Sequence, residues 1–206
     1  MKKTPWRKTK YAVKRAFDAA VSTLGLIVFS PLLLGISAVI RFTCSGPVFY
    51  RQLRVGRNGK IFTILKFRTM EDKAEESSLW TARNDPRRTS VGVWLRRYSL
   101  DELPQLINVL CGSMSLVGPR PEQPYFAETF QKTIPNYAQR DRMRPGITGW
   151  AQVNGWRGDT SIEERVAHDL WYIDNWTLRL DLHILLKTLF GGMVNRQEFP
   201  PRGERG

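Results

Sequence analysis

The chain has 206 residues, of which 42% are hydrophobic and 25% charged, a mixture that allows one domain with a buried core and excludes disorder throughout. Its 32 lysines and arginines against 19 acidic residues leave a net charge of +13, which implies an anionic partner: nucleic acid, acidic lipid headgroups or a phosphorylated substrate. Two cysteines, Cys44 and Cys111, make no disulfide framework and point to a reducing compartment, while His168 and His183 are too few and too separated for a zinc site.

In chain order, the first stretch is basic: Lys2, Lys3, Arg7, Lys8, Lys10, Lys14 and Arg15. Ala16 to Ile40 is then almost uninterrupted apolar sequence, broken by Asp18 and by Ser30-Pro31. It is too long for a signal-peptide core, lacks a cleavage site, and is long enough to span a bilayer. Both of its flanks are basic, however, with Arg41, Arg51, Arg54, Arg57 and Lys60 following it. A straight span would put one basic flank outside. A helix bent at Pro31 and leaving by the face it entered satisfies both flanks, because proline removes a backbone donor and kinks a helix. A single kinked span and a buried helical hairpin are the other two readings.

Val48 to Phe67 alternates apolar and polar residues about Gly56-Arg57-Asn58-Gly59, which predicts a β-hairpin with Lys66 near its end. Glu71 to Ser90 reads as a short helix plus a loop at Asn84-Asp85-Pro86, and Ser90 to Arg97 as a helix. Next come Ser99, Asp101 and Glu102, then an apolar helical run from Leu103 to Leu110 that Gly112 stops. Ser99 and Glu102 have the spacing of a capping box, so the acids have a plain helix-start reading. The other reading is that they stand where a helix start and nearby arginines hold phosphate.

Ser113 to Glu122 is a short extended piece leading to a rigid turn, in which Pro119 and Pro121 bracket Arg120 and fix the backbone on both sides of it. Phe126 to Met143 is helical with a break at Pro135, and Arg144-Pro145-Gly146 is a second rigid, arginine-bearing turn. Trp150 to Trp156 reads as a loop or short strand. Ser161 and Glu164 cap a helix running to about Asn175, Leu180 to Phe190 is a last apolar helix, and the tail after Arg196 is loose.

Taken singly, Lys66, Arg96, Arg120 and Arg144 read as ordinary surface charge. Together with the acid pair and an apolar segment, they suggest a site for a phosphate-bearing substrate beside a bilayer. A carboxylate among cations has its pKa lowered and is available to attack, and a second one is a ligand for the Mg²⁺ that a diphosphate brings. The competing class is a basic membrane-tethered module that holds anionic lipid or nucleic acid by charge alone. A lipid-phosphate phosphatase, with water as acceptor, is a third reading.

The motifs Lys-Phe-Arg-Thr-Met at 66–70, Ser-Leu-Asp-Glu-Leu-Pro-Gln at 99–105, Ser-Leu-Val-Gly-Pro-Arg-Pro at 115–121, Arg-Pro-Gly-Ile-Thr-Gly-Trp at 144–150 and Asp-Leu-Trp-Tyr-Ile-Asp-Asn at 169–175 resemble the bacterial sugar transferase family, the monotopic phosphoglycosyl transferases. The resemblance covers about Lys14 to Gly192. It implies transfer of a sugar-1-phosphate from a UDP-sugar to polyprenyl (undecaprenyl) phosphate with release of UMP, on the cytoplasmic face of the bacterial inner membrane. It implies that Asp101 is the nucleophile of a covalent phosphosugar intermediate, that Glu102 holds Mg²⁺, and that Lys66, Arg96, Arg120 and Arg144 bind substrate. Ser30-Pro31 matches the bend of the family's re-entrant helix. The segment Val153 to Thr160 is similar to the branch that handles glucose or galactose phosphates for exopolysaccharide or O-antigen assembly. Many members of that branch carry a further N-terminal membrane domain, and this chain starts close to the apolar segment.

The expected architecture is therefore α+β: residues 1–41 as the basic N-terminus and re-entrant membrane helix, 42–192 as a mostly helical membrane-associated catalytic domain with a β-hairpin, and 193–206 as a loose tail. The expected partners are a UDP-sugar, polyprenyl phosphate and a bilayer with anionic headgroups, without nucleic acid, and a homodimer stays open.

Overall fold

The structure is a computed structural model that describes residues 5–44, 46–71, 87–158 and 160–192. Most of the helix and loop expected over 71–90 and the tail after 192 lie outside the described residues, as do the first lysines of the basic run. The rest is a mixed fold, mostly helical, with a small β-hairpin.

Helix α1 (Pro5–Val28) and helix α2 (Ser30–Thr43) form a pair bent by 61° at Phe29. The bend follows from Pro31. It has no N–H for the Ile27 carbonyl one turn back, and the Ser30 hydroxyl donates to that carbonyl instead, at 2.7 Å. Backbone bonds on either side of the break stay intact, Phe29 N to Gly25 O and Leu33 N to Phe29 O. Among the described residues no single helix is long and apolar enough to cross a membrane, while the bent pair passes that test together.

The two legs are fastened differently. The first half of α1 is built into the core, so packing runs across the expected boundary at residue 41. Buried Lys14 donates to Asp181 at 2.6 Å, and Asp181 also accepts from Tyr172 and from Trp176 Nε1. Buried Asp18 accepts from the Ser115 hydroxyl and the Leu116 N–H. The return leg packs only its later turns, burying Ile36 and Ile40 against Phe67 and Leu95.

Strands β1 (Phe49–Val55) and β2 (Ile61–Phe67) make the antiparallel hairpin, with Lys66 opposite Tyr50. Asn58 and Gly59 take positive φ in the turn, as the Asn-Gly pair allows. Helix α3 (Ser90–Arg97) is capped by the Thr89 hydroxyl. Helix α4 (Gln105–Leu110) is shorter than expected, because Leu100–Glu102 form a separate 3₁₀ turn ahead of Pro104.

A second, parallel strand pair was not legible from the pattern: β3 (Ser115–Val117) beside β4 (Gly146–Thr148). Gly118 and Gly146 allow it, since a Cβ on Gly146 would run into the Gly118 backbone. Helix α5 (Pro124–Thr133) ends before Pro135, and a 3₁₀ segment covers Tyr137–Arg142. Trp150 to Trp156 contains a short helix, α6 (Trp150–Val153), in place of the expected loop or strand. Helix α7 (Ile162–Asp174) has its Ser161 cap, with Glu164 N donating to Ser161 Oγ, and α8 (Leu178–Lys187) runs into a wider turn at Thr188–Gly192.

Lys14→Met removes one partner of a buried ion pair and leaves Asp181 charged in the core, a loss of about 3–5 kcal/mol. The expected result is a large fall in melting temperature, read by tryptophan fluorescence in detergent.

Candidate active site

Four segments, far apart in sequence, meet at Glu102. The hairpin supplies Lys66, whose Nζ donates to Glu102 Oε1 at 2.8 Å. The turn after β3 supplies Arg120, whose Nη2 donates to the same oxygen at 3.0 Å. The loop after α6 supplies Arg157, whose Nη2 lies 3.8 Å from Oε2. Burial alone would raise the Glu102 pKa, but Arg120, Lys66 and Arg157 outweigh it and hold the carboxyl well below the usual range. Burial lowers Lys66, against the pull of Glu102.

Asp101 is buried beside Glu102 but is held differently. Among the described residues no hydrogen bond ties its carboxylate down. Burial pushes its pKa up, opposed by Lys66 and assisted by Glu102, with Arg96 and Arg157 also favouring the charged form. Glu102 is thus clamped by cations, whereas burial holds the unclamped Asp101 above the usual carboxylate range, the reverse of the lowered pKa expected of an attacking acid.

The capping box expected at Ser99 and Glu102 is not formed. Ser99 is left-handed, at φ 54°, and makes no side-chain cap bond. Its hydroxyl accepts from Arg157 Nη2 at 3.3 Å, and the Glu102 carboxylate is committed to cations. A non-glycine residue in this conformation costs on the order of 1 kcal/mol and is characteristic of functional turns.

Arg120 is aimed by a second, buried network. Arg140 donates to the Arg120 carbonyl at 2.9 Å, to Asp169 from both Nε and Nη2, and to the Tyr137 hydroxyl. Arg54 donates to the Pro121 carbonyl, Val55 N to the Glu122 carbonyl, and Arg165 to the Glu122 side chain. The Pro119-Arg120-Pro121 segment is therefore held from the hairpin on one side and from α7 on the other.

Of the expected site residues, Lys66, Arg96, Asp101, Glu102 and Arg120 come together. Arg144 does not join them. Its Nε donates to the Gly112 carbonyl at 2.9 Å, at the far end of α4 from the acids. Arg15 donates there too, to the carbonyls of Val109 and Leu110. Two cations thus cap the carboxyl end of the helix that follows the acid pair, where its dipole favours them.

Arg157 and the Arg140–Asp169 pair were not singled out from sequence. Arg157 carried a signal: Gly155 and Gly158, both at positive φ, bracket it much as prolines bracket Arg120. Arg140 carried none, since it is one arginine among several in a polar helical stretch.

Beside the acids lies a cavity of about 600 Å³. Ser99, Glu102 and Arg157 form its polar end, and Leu103, Leu106, Ile147 and Val153 line its walls. It reaches Phe29 at the bend of the helix pair, Leu185 near the end of α8 and Leu189 in the turn that follows it.

Glu102→Ala removes the carboxylate that Lys66, Arg120 and Arg157 share, at a cost on the order of 3 kcal/mol. Because the native Glu102 pKa is depressed, its contribution is present above the ordinary glutamate range and is lost as pH falls through the lowered value. Melting temperatures of the two proteins are expected to differ most near neutral pH and to converge in acid.

The family model described as bacterial sugar transferase matches residues 9–195. The chain is 44% identical, over 95% of its length, to 43% of the UDP-glucose:undecaprenyl-phosphate glucose-1-phosphate transferase of Escherichia coli K12. It is 42% identical, over 86% of its length, to 43% of the UDP-N-acetylgalactosamine-undecaprenyl-phosphate N-acetylgalactosaminephosphotransferase of Aeromonas hydrophila. It is also 44% identical, over 90% of its length, to 88% of the exopolysaccharide production protein ExoY of Rhizobium meliloti. The chain thus spans less than half of the first two relatives and nearly the whole of the third. With this coverage and the clamped acid pair, the chain belongs to the bacterial sugar transferase family.

Proposed function

We propose that the protein transfers sugar-1-phosphate from a UDP-sugar to polyprenyl phosphate, releasing UMP, as a membrane step of exopolysaccharide or O-antigen assembly. The observation that carries this reading is the contrast between the acids: Glu102 clamped by three cations, Asp101 buried beside it and unclamped. Asp101 Oδ attacks the β-phosphorus of the UDP-sugar, a P–O bond forms, and the bond to UMP breaks with the electron pair leaving on UMP. A phosphate oxygen of the lipid then attacks the same phosphorus, and the Asp101 carboxylate leaves. Lys66 and Arg120 supply the positive field that draws the diphosphate in and balances charge on the phosphoryl oxygens.

The metal is part of the proposal. Among the described residues no group of three or more His, Cys, Asp or Glu side chains is placed to hold an ion. Glu102 Oε1 is taken by Lys66 and Arg120, while Oε2 has only the longer contact to Arg157. The surrounding cations oppose a bare Mg²⁺, but the Oε2 oxygen fits one that arrives with a diphosphate, whose negative charge offsets them and whose oxygens, with water, are its other ligands. Bound there through Glu102, Mg²⁺ would neutralise diphosphate charge.

The proposed location is the cytoplasmic face of a membrane, with the bent pair entering and leaving by that face. Ile27, Leu34 and Phe42 are 66%, 72% and 88% exposed, a cost in water that lipid removes. The reading as a module that binds anions by charge alone is weaker, because Arg15, Arg54, Arg140 and Arg165 are spent on internal hydrogen bonds. For the sugar, we propose glucose or galactose on the Val153–Thr160 segment. The Escherichia and Aeromonas relatives, with different sugars in their names, are almost equally similar to this chain.

With sugar-labelled UDP-glucose and no lipid, label is expected on the peptide containing Asp101. Asp101→Asn is expected to lose UMP release on the order of 10⁴-fold. No label, or full turnover by Asp101→Asn, sinks the assignment of Asp101 as nucleophile. A panel of UDP-sugars, N-acetylgalactosamine included, tests the sugar by UMP release with polyprenyl phosphate present. For the metal, calorimetry is expected to find Mg²⁺ binding roughly tenfold tighter with UDP than alone, and chelation is expected to stop UMP release. Equal affinity in both titrations counts against a site completed by the diphosphate.

A further inference from the structure

The cations around the acid pair fall on two sides. Lys66 and Arg120 grip Glu102 Oε1 and take no part in lining the large cavity. Arg157 faces Oε2, and its guanidinium forms the polar end of that cavity together with Ser99 and Glu102. Two of the site's cations therefore stand outside the large cavity and one stands within it, at an end that is cationic beside the acids, while most of the remaining lining is apolar.

The two reactants of the proposed reaction differ in the same way. A UDP-sugar is polar along its whole length, whereas a polyprenyl phosphate is one anionic group on a hydrocarbon chain. A largely apolar cavity with Arg157 at its acid end, in which Thr148, Gln152, Lys187 and Thr188 are further polar side chains, fits the second better than the first. The lining also includes Phe29 and Leu189, and the residues near them in sequence, Leu32, Leu186 and Phe190, are exposed and apolar. A chain leaving there enters the surroundings that the bent pair needs.

We propose that Arg157 receives the phosphate of the lipid acceptor and that the adjoining cavity takes the first isoprene units of its chain. Arginine's planar fork suits a phosphate monoester, and Arg157 is steadied by its bond to the Ser99 hydroxyl while it faces the acids. The turn that holds Ser99 in a left-handed conformation thus links the acceptor's cation to the nucleophile two residues on. Arg157 is then the residue that separates the two half-reactions: it acts chiefly when the lipid phosphate attacks, and Lys66 and Arg120 act chiefly on the donor. This assignment rests on the two-step transfer proposed above.

The test separates the steps. Enzyme is loaded with sugar-labelled UDP-glucose in the absence of lipid, freed of nucleotide, and chased with polyprenyl phosphate. Arg157→Gln is expected to slow the chase about tenfold or more beyond any effect on loading, with the KM for lipid raised, and Arg157→Lys to recover part of the loss. Equal slowing of both steps, or a larger effect on loading, overturns the assignment. Val153→Phe, which fills the cavity away from the acids, is expected to slow the chase as well.

A second arm needs no covalent intermediate. Binding of a short-chain polyprenyl phosphate, of the matching polyprenol and of inorganic phosphate is measured on the full chain in detergent. Arg157→Gln is expected to weaken the lipid phosphate about tenfold and to leave the alcohol nearly unchanged. Val153→Phe is expected to weaken both lipids but not inorganic phosphate. Lipid phosphate binding indifferent to both substitutions overturns the proposal. Failure of the parent enzyme to load, with this binding pattern intact, counts against the aspartyl intermediate and not against the acceptor site.

Discussion

The Glu102 carboxylate is the point on which the site depends. One oxygen accepts from Lys66 and Arg120, the other faces Arg157, and these cations come from the hairpin, the turn after β3 and the loop after α6. Without that carboxylate, three positive charges would converge in a half-buried space with the acceptor that they share removed. With it, each loop is drawn to a common centre, and a surplus of positive field remains for an anionic substrate. The acid is therefore structural before it is chemical, and its strongly lowered pKa is the measure of how firmly the cations hold it.

The supports around this centre use arginine again, in buried and hydrogen-bonded form. Arg140 spans Asp169, Tyr137 and the Arg120 carbonyl, so the guanidinium that touches Glu102 is aimed by one that does not. Arg15 and Arg144 close the carboxyl end of α4, stabilising a helix of six residues that would not persist alone. Part of the chain's positive charge is consequently internal, with Lys14, Arg140 and Arg165 buried and Arg15 and Arg54 bonded to backbone carbonyls.

The bent helix pair and the site are one construction. Pro31 denies Ile27 its helical partner, Ser30 takes that carbonyl, and the resulting turn places Phe29 at the wall of the cavity that begins at Glu102. Lys14 and Asp18 anchor the first leg through buried carboxylate contacts with α8 and β3. A change in the angle of the pair is thereby a change in the shape of the cavity, because Gly25 packs against Leu106 in the same wall.

What the sequence determined by itself was local. Alternation around an Asn-Gly turn made the hairpin, Thr89 and Ser161 started their helices, Pro31 bent the apolar segment, and the ordered motifs singled out Lys66, the acid pair and Arg120. These follow from backbone chemistry within a few residues or from patterns read along one strand of text. The tertiary structure decided which partners the side chains chose. Ser99 and Glu102 have capping spacing, but three distant cations outcompete one backbone N–H for a carboxylate, so the cap is never made. Arg144 was read as a site residue from a rigid turn, yet the turn aims it at Gly112, because the close contact of Gly118 with Gly146 fixes where β4 lies. Arg157, thirteen positions after Arg144 and outside the motif at 144–150, reaches the acids only after the parallel strand pair and α6 have brought its loop across the fold. Charge pairing over such separations is a property of packing, and no local period encodes it.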